Sequence, residues 1–320
     1  MRAAARPPSF FNIMRKFSSY LVVAIKGFLM GAANVIPGVS GGTIAFLTGI
    51  YTELIESIKA ITGKSLGLLF RFKIGQFWKA INGNFLLAVA IGIVVSIFSL
   101  AKLMSYLLEN YPIQVWSFFF GLVLVSTVYM IRQLDNLKLT HWLSFLVGVA
   151  CGVTICLLSP SETSNSLPFI FICGAIAMCT MILPGISGSF VLVLLGKYAY
   201  IIDAVGNLDW IVLIVFTAGA IIGILAFSHA FSWLLKKAYN GTMMFLAGLM
   251  LGSLVKLWPW KKVIEEVGKV AVDRPVWPAQ FSGDPYIAGA VIWALAGCAL
   301  IVVVEFASAA IKKRSASEAS

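Results

Sequence analysis

The phrase Pro-Gly-x-Ser-Gly occurs twice, each time inside an apolar stretch, and no other feature of the chain limits its fold as much. The first copy lies in residues 34–46 (NVIPGVSGGTIAF) and the second in residues 181–193 (MILPGISGSFVLV). Proline removes a backbone donor and glycine weakens a helix, so neither stretch continues as one regular helix. Hydrocarbon offers no water to the freed backbone groups, which cost several kcal/mol each when unsatisfied. Such breaks persist only where protein or a polar cavity lines them. The surroundings are indeed apolar: 60% of the 320 residues are hydrophobic, 12% are charged and mean hydropathy is +0.95. A soluble domain carries about 25% charged residues. The chain therefore reads as a polytopic membrane protein. Its net charge of +11 points to cytoplasmic loops facing anionic lipid, and nucleic acid is not an expected partner.

Apolar segments fall at 20–36, 39–58, 85–107, 115–131, 142–158, 168–183, 186–205, 210–235, 242–258 and 286–311. Several are shorter than the roughly 20 residues that a crossing needs. Slid along itself, the chain superimposes Gly27 on Gly174, Pro37 on Pro184, Ser40 on Ser187, Gly49 on Gly196 and Tyr51 on Tyr198. Further on, Gly92 meets Gly219, SYLL at 105–108 meets SWLL at 232–235, and Ser126 meets Ser253. This is a duplication of five segments, and an odd number inverts the second copy. The expected fold is all-α and polytopic: two inverted-topology repeats, each a re-entrant helical hairpin broken at Pro-Gly-x-Ser-Gly followed by three transmembrane helices. Repeat 1 spans 20–158 (hairpin 20–58, insertion 59–84) and repeat 2 spans 168–311 (hairpin 168–205), between basic tails at 1–19 and 312–320. Arg2, Arg6, Arg15 and Lys16 mark a cytoplasmic N-terminus without a signal-peptide pattern. Lys64, Arg71, Lys79, Arg132, Lys138, Lys236, Lys237 and the basic run 312–314 then also fall inside. The 256–285 loop falls outside although it holds five basic residues; it also holds four acidic ones, and long loops obey the rule poorly. The insertion reads either as one basic amphipathic interfacial helix, with Phe70, Phe77, Trp78 and Ile81 dipping into the leaflet, or as a simple topology anchor.

A broken helix exposes orphan N–H groups at the positive end of its dipole, which suits an anion and phosphate above all. Pro37, Gly38, Ser40, Gly41, Gly42 and Thr43 in one break, and Pro184, Gly185, Ser187, Gly188 and Ser189 in the other, are the candidate phosphate-binding residues. The competing reading is that these small residues only let helices pack closely. Among ionisable groups, Lys26 pairs with an anionic substrate or snorkels to the surface. Glu53, Glu56 and Asp203 are candidate coupling charges. Glu56 and Asp203 lie about 20 Å past the breaks along a helix, which favours interfacial solvation. The five cysteines form no CxxC, no metal-ligand cluster is present, and TGKS at 62–65 lacks the first P-loop glycine. No metal or cofactor is expected, and no catalytic signature stands out.

NVIPGVSGGT and its looser second copy LPGISGS, in a chain of inverted repeats, resemble the PopT-type undecaprenyl-phosphate translocases, once a bacterial domain of unknown function. The second copy departs at Ser189 and Phe190, where the first has Gly42 and Thr43. The resemblance implies a multi-pass protein of the bacterial cytoplasmic membrane. It would return the C55 polyprenyl-phosphate carrier from the outer to the inner leaflet for peptidoglycan and other envelope polymers. An alternative is a BacA-like undecaprenyl-diphosphate phosphatase, whose similar motif continues with an arginine; here that place holds Gly41 and Gly188. A secondary transporter of a small anion is a third.

Overall fold

A computed structural model describes residues 17–35, 40–160, 163–267 and 270–317. Pro37 and Gly38, residues 1–16 of the N-terminal tail and residues 318–320 of the C-terminal tail lie outside the described residues. The chain is mostly helical. The first half comprises α1 (Phe17–Val35), α2 (Gly41–Leu47), α3 (Tyr51–Lys59), α4 (Gly63–Phe70), α5 (Ile74–Ala80), α6 (Gly83–Asn110), α7 (Pro112–Arg132) and α8 (Leu139–Leu157). The second comprises α9 (Leu167–Ile182), α10 (Gly188–Leu194), α11 (Tyr198–Gly206), α12 (Trp210–Lys237), α13 (Tyr239–Leu257) and α14 (Ile287–Ser317), with strands β1 (Lys261–Val267) and β2 (Val270–Pro275) before α14. Local chemistry sets several starts. Pro112 opens α7, where its missing N–H is harmless, and the Asp209 carboxylate caps α12 by accepting from Val212 N–H at 3.2 Å.

Among the described residues, five helices are long and apolar enough to cross a bilayer: α6, α7, α8, α12 and α13. A sixth span results if the bent α10–α11 pair counts as one. Helix α13 lies at the centre, with Met243, Met244, Leu246, Ala247, Leu249 and Met250 buried, whereas α12 turns Ile211, Ile214, Ile221 and Ile222 outward. Apolar tails surround such a bundle, so close van der Waals contact rather than water exclusion holds the helices together. Small residues make that contact. Gly148 and Gly152 of α8 interlock with Gly248 and Gly252 of α13, and a methyl on Gly148 would sit 2.2 Å from the Phe245 carbonyl oxygen. Gly121 of α7 and Gly297 of α14 do the same, as do Gly27 and Gly92 between α1 and α6, and Gly174 and Gly219 between α9 and α12. Thus α1 packs on α6 and α9 on α12 within each half, whereas α7 packs on α14 and α8 on α13 across the halves. Element lengths repeat as well: α2 and α10 have 7 residues, α3 and α11 have 9, and α6 and α12 have 28.

The structure corrects two expectations. Segments 39–58 and 186–205 are each two short helices, because Gly49 (φ +72°) and Gly196 (φ +63°) terminate α2 and α10. At both places the next residue's N–H reaches back five residues, Ile50 to Ala45 O at 2.9 Å and Lys197 to Leu192 O at 2.8 Å, a glycine-terminated helix end. Helices α10 and α11 meet at 108°. The insertion is two helices, because Phe72 (φ +55°) ends α4 in the same way; Phe70 and Trp78 are exposed, whereas Ile81 turns into the protein. The chain is otherwise helical as expected, with one two-stranded addition. Strands β1 and β2 form an antiparallel hairpin, pairing Lys261 with Pro275 and Val267 with Val270, with an irregularity between Val263 and Glu265. Trp260 anchors it, packing with Ile113 and Ala290 and donating from its indole to Pro285 O at 2.7 Å.

Candidate functional site

The two motifs meet. Ser40 is the N-cap of α2, and its Oγ accepts from Gly42 N–H at 3.1 Å while Asn34 Oδ1 accepts from Gly41 N–H at 2.7 Å. Two orphan donors of the first break are thereby satisfied from within its own motif. The second break is built differently. Ser187 is the N-cap of α10, but its side chain accepts from no backbone N–H of that helix; its Oγ hydrogen-bonds Ser189 Oγ at 2.8 Å instead. Two substitutions in the repeat match this difference: Met181, which has no side-chain oxygen, takes the place of Asn34, and Ser189, whose hydroxyl engages Ser187, takes the place of Gly42. The donors at the start of α10 therefore lack the side-chain caps that α2 has.

Across the junction, Ser40 Oγ donates to Met181 O at 3.2 Å, and Gly185 N–H donates to Thr43 Oγ1 at 3.0 Å. Gly42 lies so close to Ile182 that an added methyl would be 2.3 Å from its carbonyl oxygen. Ser40, Thr43 and Ser187 are buried, as are Gly41, Gly42, Pro184, Gly185 and Gly188, and Ser189 is half-buried. The described motif residues thus form one closed polar seam in which hydroxyls and backbone satisfy each other. Centrally placed groups of this kind can bind an anion when they separate.

The charged candidates stand apart from the seam. Lys26 Nζ donates to Thr48 O at 2.6 Å, at the C-terminal end of α2, where a cation meets the negative end of the helix dipole. The repeat-equivalent carbonyl, Leu195 O, accepts instead from Thr163 Oγ1. Buried Lys197 sits behind it and donates to Thr163 O at 2.6 Å and Asn165 Oδ1 at 2.7 Å. Glu53 accepts from Asn82 Nδ2 at 3.0 Å. Glu56 accepts from Ser232 Oγ and lies 3.3 Å from Lys236 Nζ, tying α3 to α12. Asp203 is exposed. Among the described residues no group of His, Cys, Asp and Glu could hold a metal ion. An apolar groove of about 560 Å³, lined by Met104, Leu107, Phe118, Phe119 and Trp293 among others, contains no residue of either motif.

A family match decides where this seam belongs: the family described as undecaprenyl phosphate translocase-like matches residues 30–272. The chain belongs to that family. It is 47% identical to a Vibrio cholerae serotype O1 protein named polyprenyl-phosphate transporter over 249 residues, 78% of this chain and 81% of that one. It is 31% identical to a Staphylococcus aureus protein of the same name over 255 residues, 73% and 85% of the two chains. No solved structure matches. The family match covers both motifs, and with them Asn34. Sequence reasoning passed over Asn34 although it opens the first motif and has a methionine in its place in the second. It also left Lys197 out of the site, because nothing in the sequence joins that residue to Thr163 and Asn165.

Proposed function

We propose that this protein transports a polyprenyl phosphate, undecaprenyl phosphate, from the outer to the inner leaflet of the bacterial cytoplasmic membrane. The direct bonds between the two motifs, Ser40 to Met181 and Gly185 to Thr43, carry this reading, together with relatives named for polyprenyl-phosphate transport. The two halves act as inverted repeats whose hairpins re-enter from opposite faces, with both termini cytoplasmic. Matching element lengths and equivalent helix pairings support that arrangement. The phosphate headgroup binds at the seam when the motifs part, held by the Ser40, Thr43, Ser187 and Ser189 hydroxyls and by backbone N–H groups. The prenyl tail stays in lipid, so only the headgroup needs a polar path across about 30 Å of hydrocarbon. Alternate parting toward each face moves the headgroup across.

Packing at the motifs favours carrying over hydrolysis. A methyl on Gly41 would already lie 2.8 Å from Asn34, and one on Gly188 would lie 2.4 Å from Ala177 O. At Gly188 the obstacle is backbone, so an arginine there has no room, and one at Gly41 would displace the Asn34 side chain. The test is reconstitution in proteoliposomes with labelled C55 phosphate. Wild type should move it between leaflets without releasing phosphate, and Ser40→Ala and Ser187→Ala should slow it severely. Wild-type transport by both properly inserted variants would sink the assignment of the site.

A further inference from the structure

The segment between α13 and α14 contributes a second polar cluster beside the seam. Ser253 and Lys256 are three residues apart on α13 and share a face. Ser253 Oγ lies 3.1 Å from where a methyl on Gly185 would be, against the second motif. Lys256 lies about 5 Å further along the helix, with its Nζ 4.9 Å from the ring centroid of Phe190, the residue after Ser189. Lys256 hydrogen-bonds Asp273 of β2. Lys261 of β1 sits on the other side of that carboxylate, 3.6 Å from Nζ to Oδ2, too long for a hydrogen bond. Its side chain is 10% exposed, and its ammonium lies over the Trp116 ring without a hydrogen-bond partner among the described residues.

Two ammonium groups thus share one largely buried carboxylate, and one of them makes no hydrogen bond among the described residues. A buried charge left in that condition is unfavourable unless something else supplies acceptors. Burial pushes Lys261 down to about 7, against the pull of Asp273 beside it. A phosphate monoester brings up to two negative charges and three strong acceptor oxygens, and lysines serve phosphate as point charges.

We propose that Lys256 and Lys261 form a phosphate-monoester site next to the second motif, which Asp273 fills in this structure and vacates when the headgroup arrives. This deepens the transport reading and rests on it: the pair would receive the headgroup one helical turn before the seam, on the side that the proposed orientation places outside.

Binding to the full-length protein in nanodiscs tests it, with farnesyl phosphate, inorganic phosphate and farnesol as probes. Lys256→Gln and Lys261→Met should each weaken farnesyl phosphate binding about tenfold or more, and Asp273→Asn should tighten it, because the competing anion is gone. A purely structural clamp predicts the opposite sign for Asp273→Asn. If a lysine variant does not fold, Asp273→Asn decides alone, and unchanged or weaker binding overturns the proposal. Inorganic phosphate binding as tightly as farnesyl phosphate supports the anion site but assigns it to free phosphate. Farnesol binding as tightly as farnesyl phosphate overturns it. Transport of labelled C55 phosphate separates the two ideas. Wild type that transports while Asp273→Asn fails to tighten binding refutes only the lysine site. Wild type that binds through the lysines but does not transport refutes the transport reading instead.

Discussion

Replacing Gly42 with alanine probes the contact between the two motifs. The new methyl would stand 2.3 Å from Ile182 O, and real Cβ contacts essentially never fall below 3.0 Å. The opposing group is backbone, which cannot swing aside, so α2 must move away from the end of α9. The bonds from Ser40 to Met181 O and from Gly185 to Thr43 Oγ1 already measure 3.2 and 3.0 Å, so a comparable displacement takes both out of range. Each is worth about 1 kcal/mol. Losing both shifts the closed-to-parted balance by about 2 kcal/mol, roughly 30-fold. Hydrogen exchange at the Gly185 amide reads this directly, because that N–H is one of the bridging donors. Exchange in Gly42→Ala should be faster by about that factor. Gly41→Ala is the control: its methyl meets the end of the Asn34 side chain, 2.8 Å away, which can rotate aside and leave the seam shut. Equal protection of Gly185 in wild type and Gly42→Ala would refute the reasoning.

Asn34→Leu removes the acceptor for Gly41 N–H and should lower stability by about 1 kcal/mol, seen as a lower unfolding temperature in detergent. Gly196→Ala forces a side chain into a left-handed conformation at φ +63° and should destabilise by about 1 kcal/mol in the same assay. Glu56→Gln breaks a pair whose lysine is largely exposed, so the loss should stay below about 1 kcal/mol, and Asp203→Asn, at an exposed position, should change nothing. Lys261 carries a pH signature. Its pKa falls from 10.5 unfolded to about 7 folded, so its unfavourable contribution is absent above 10.5, grows as pH falls, and is complete below about 7. The unfolding temperature of wild type relative to Lys261→Met should therefore rise between pH 7 and pH 9, and a flat difference would contradict the burial argument.

The apolar segments and the duplicated motif were readable because hydrocarbon imposes strong rules on length and on backbone satisfaction. The contact between the motifs is a finding of the structure, with Pro37 and Gly38 outside the described residues. Other features left weaker traces. Gly49 and Gly196 align in the repeat, but a glycine in an apolar run reads equally as a packing residue, and only its positive φ reveals a helix end. The β hairpin escaped notice because its polar, charged run looks like an ordinary loop. The pairing of Glu56 with Ser232 and Lys236, and of Lys256 with Asp273, joins residues far apart in the chain that carry no mutual spacing signal. The difference between Asn34 and Met181 was visible, but its meaning depends on the Gly41 amide that the fold brings to Asn34.

The glycine faces that lock α7 to α14 and α8 to α13 bear on how the protein is made. Synthesis delivers α7 and α8 well before their partners exist. Each enters the membrane as an independent helix, which lipid tolerates because tails solvate apolar side chains as well as another helix does. Assembly of the central frame must then wait for α13 and α14, which follow them in the chain. A ribosome stalled before α14 should hold a chain whose earlier helices are inserted but whose central frame is not yet locked.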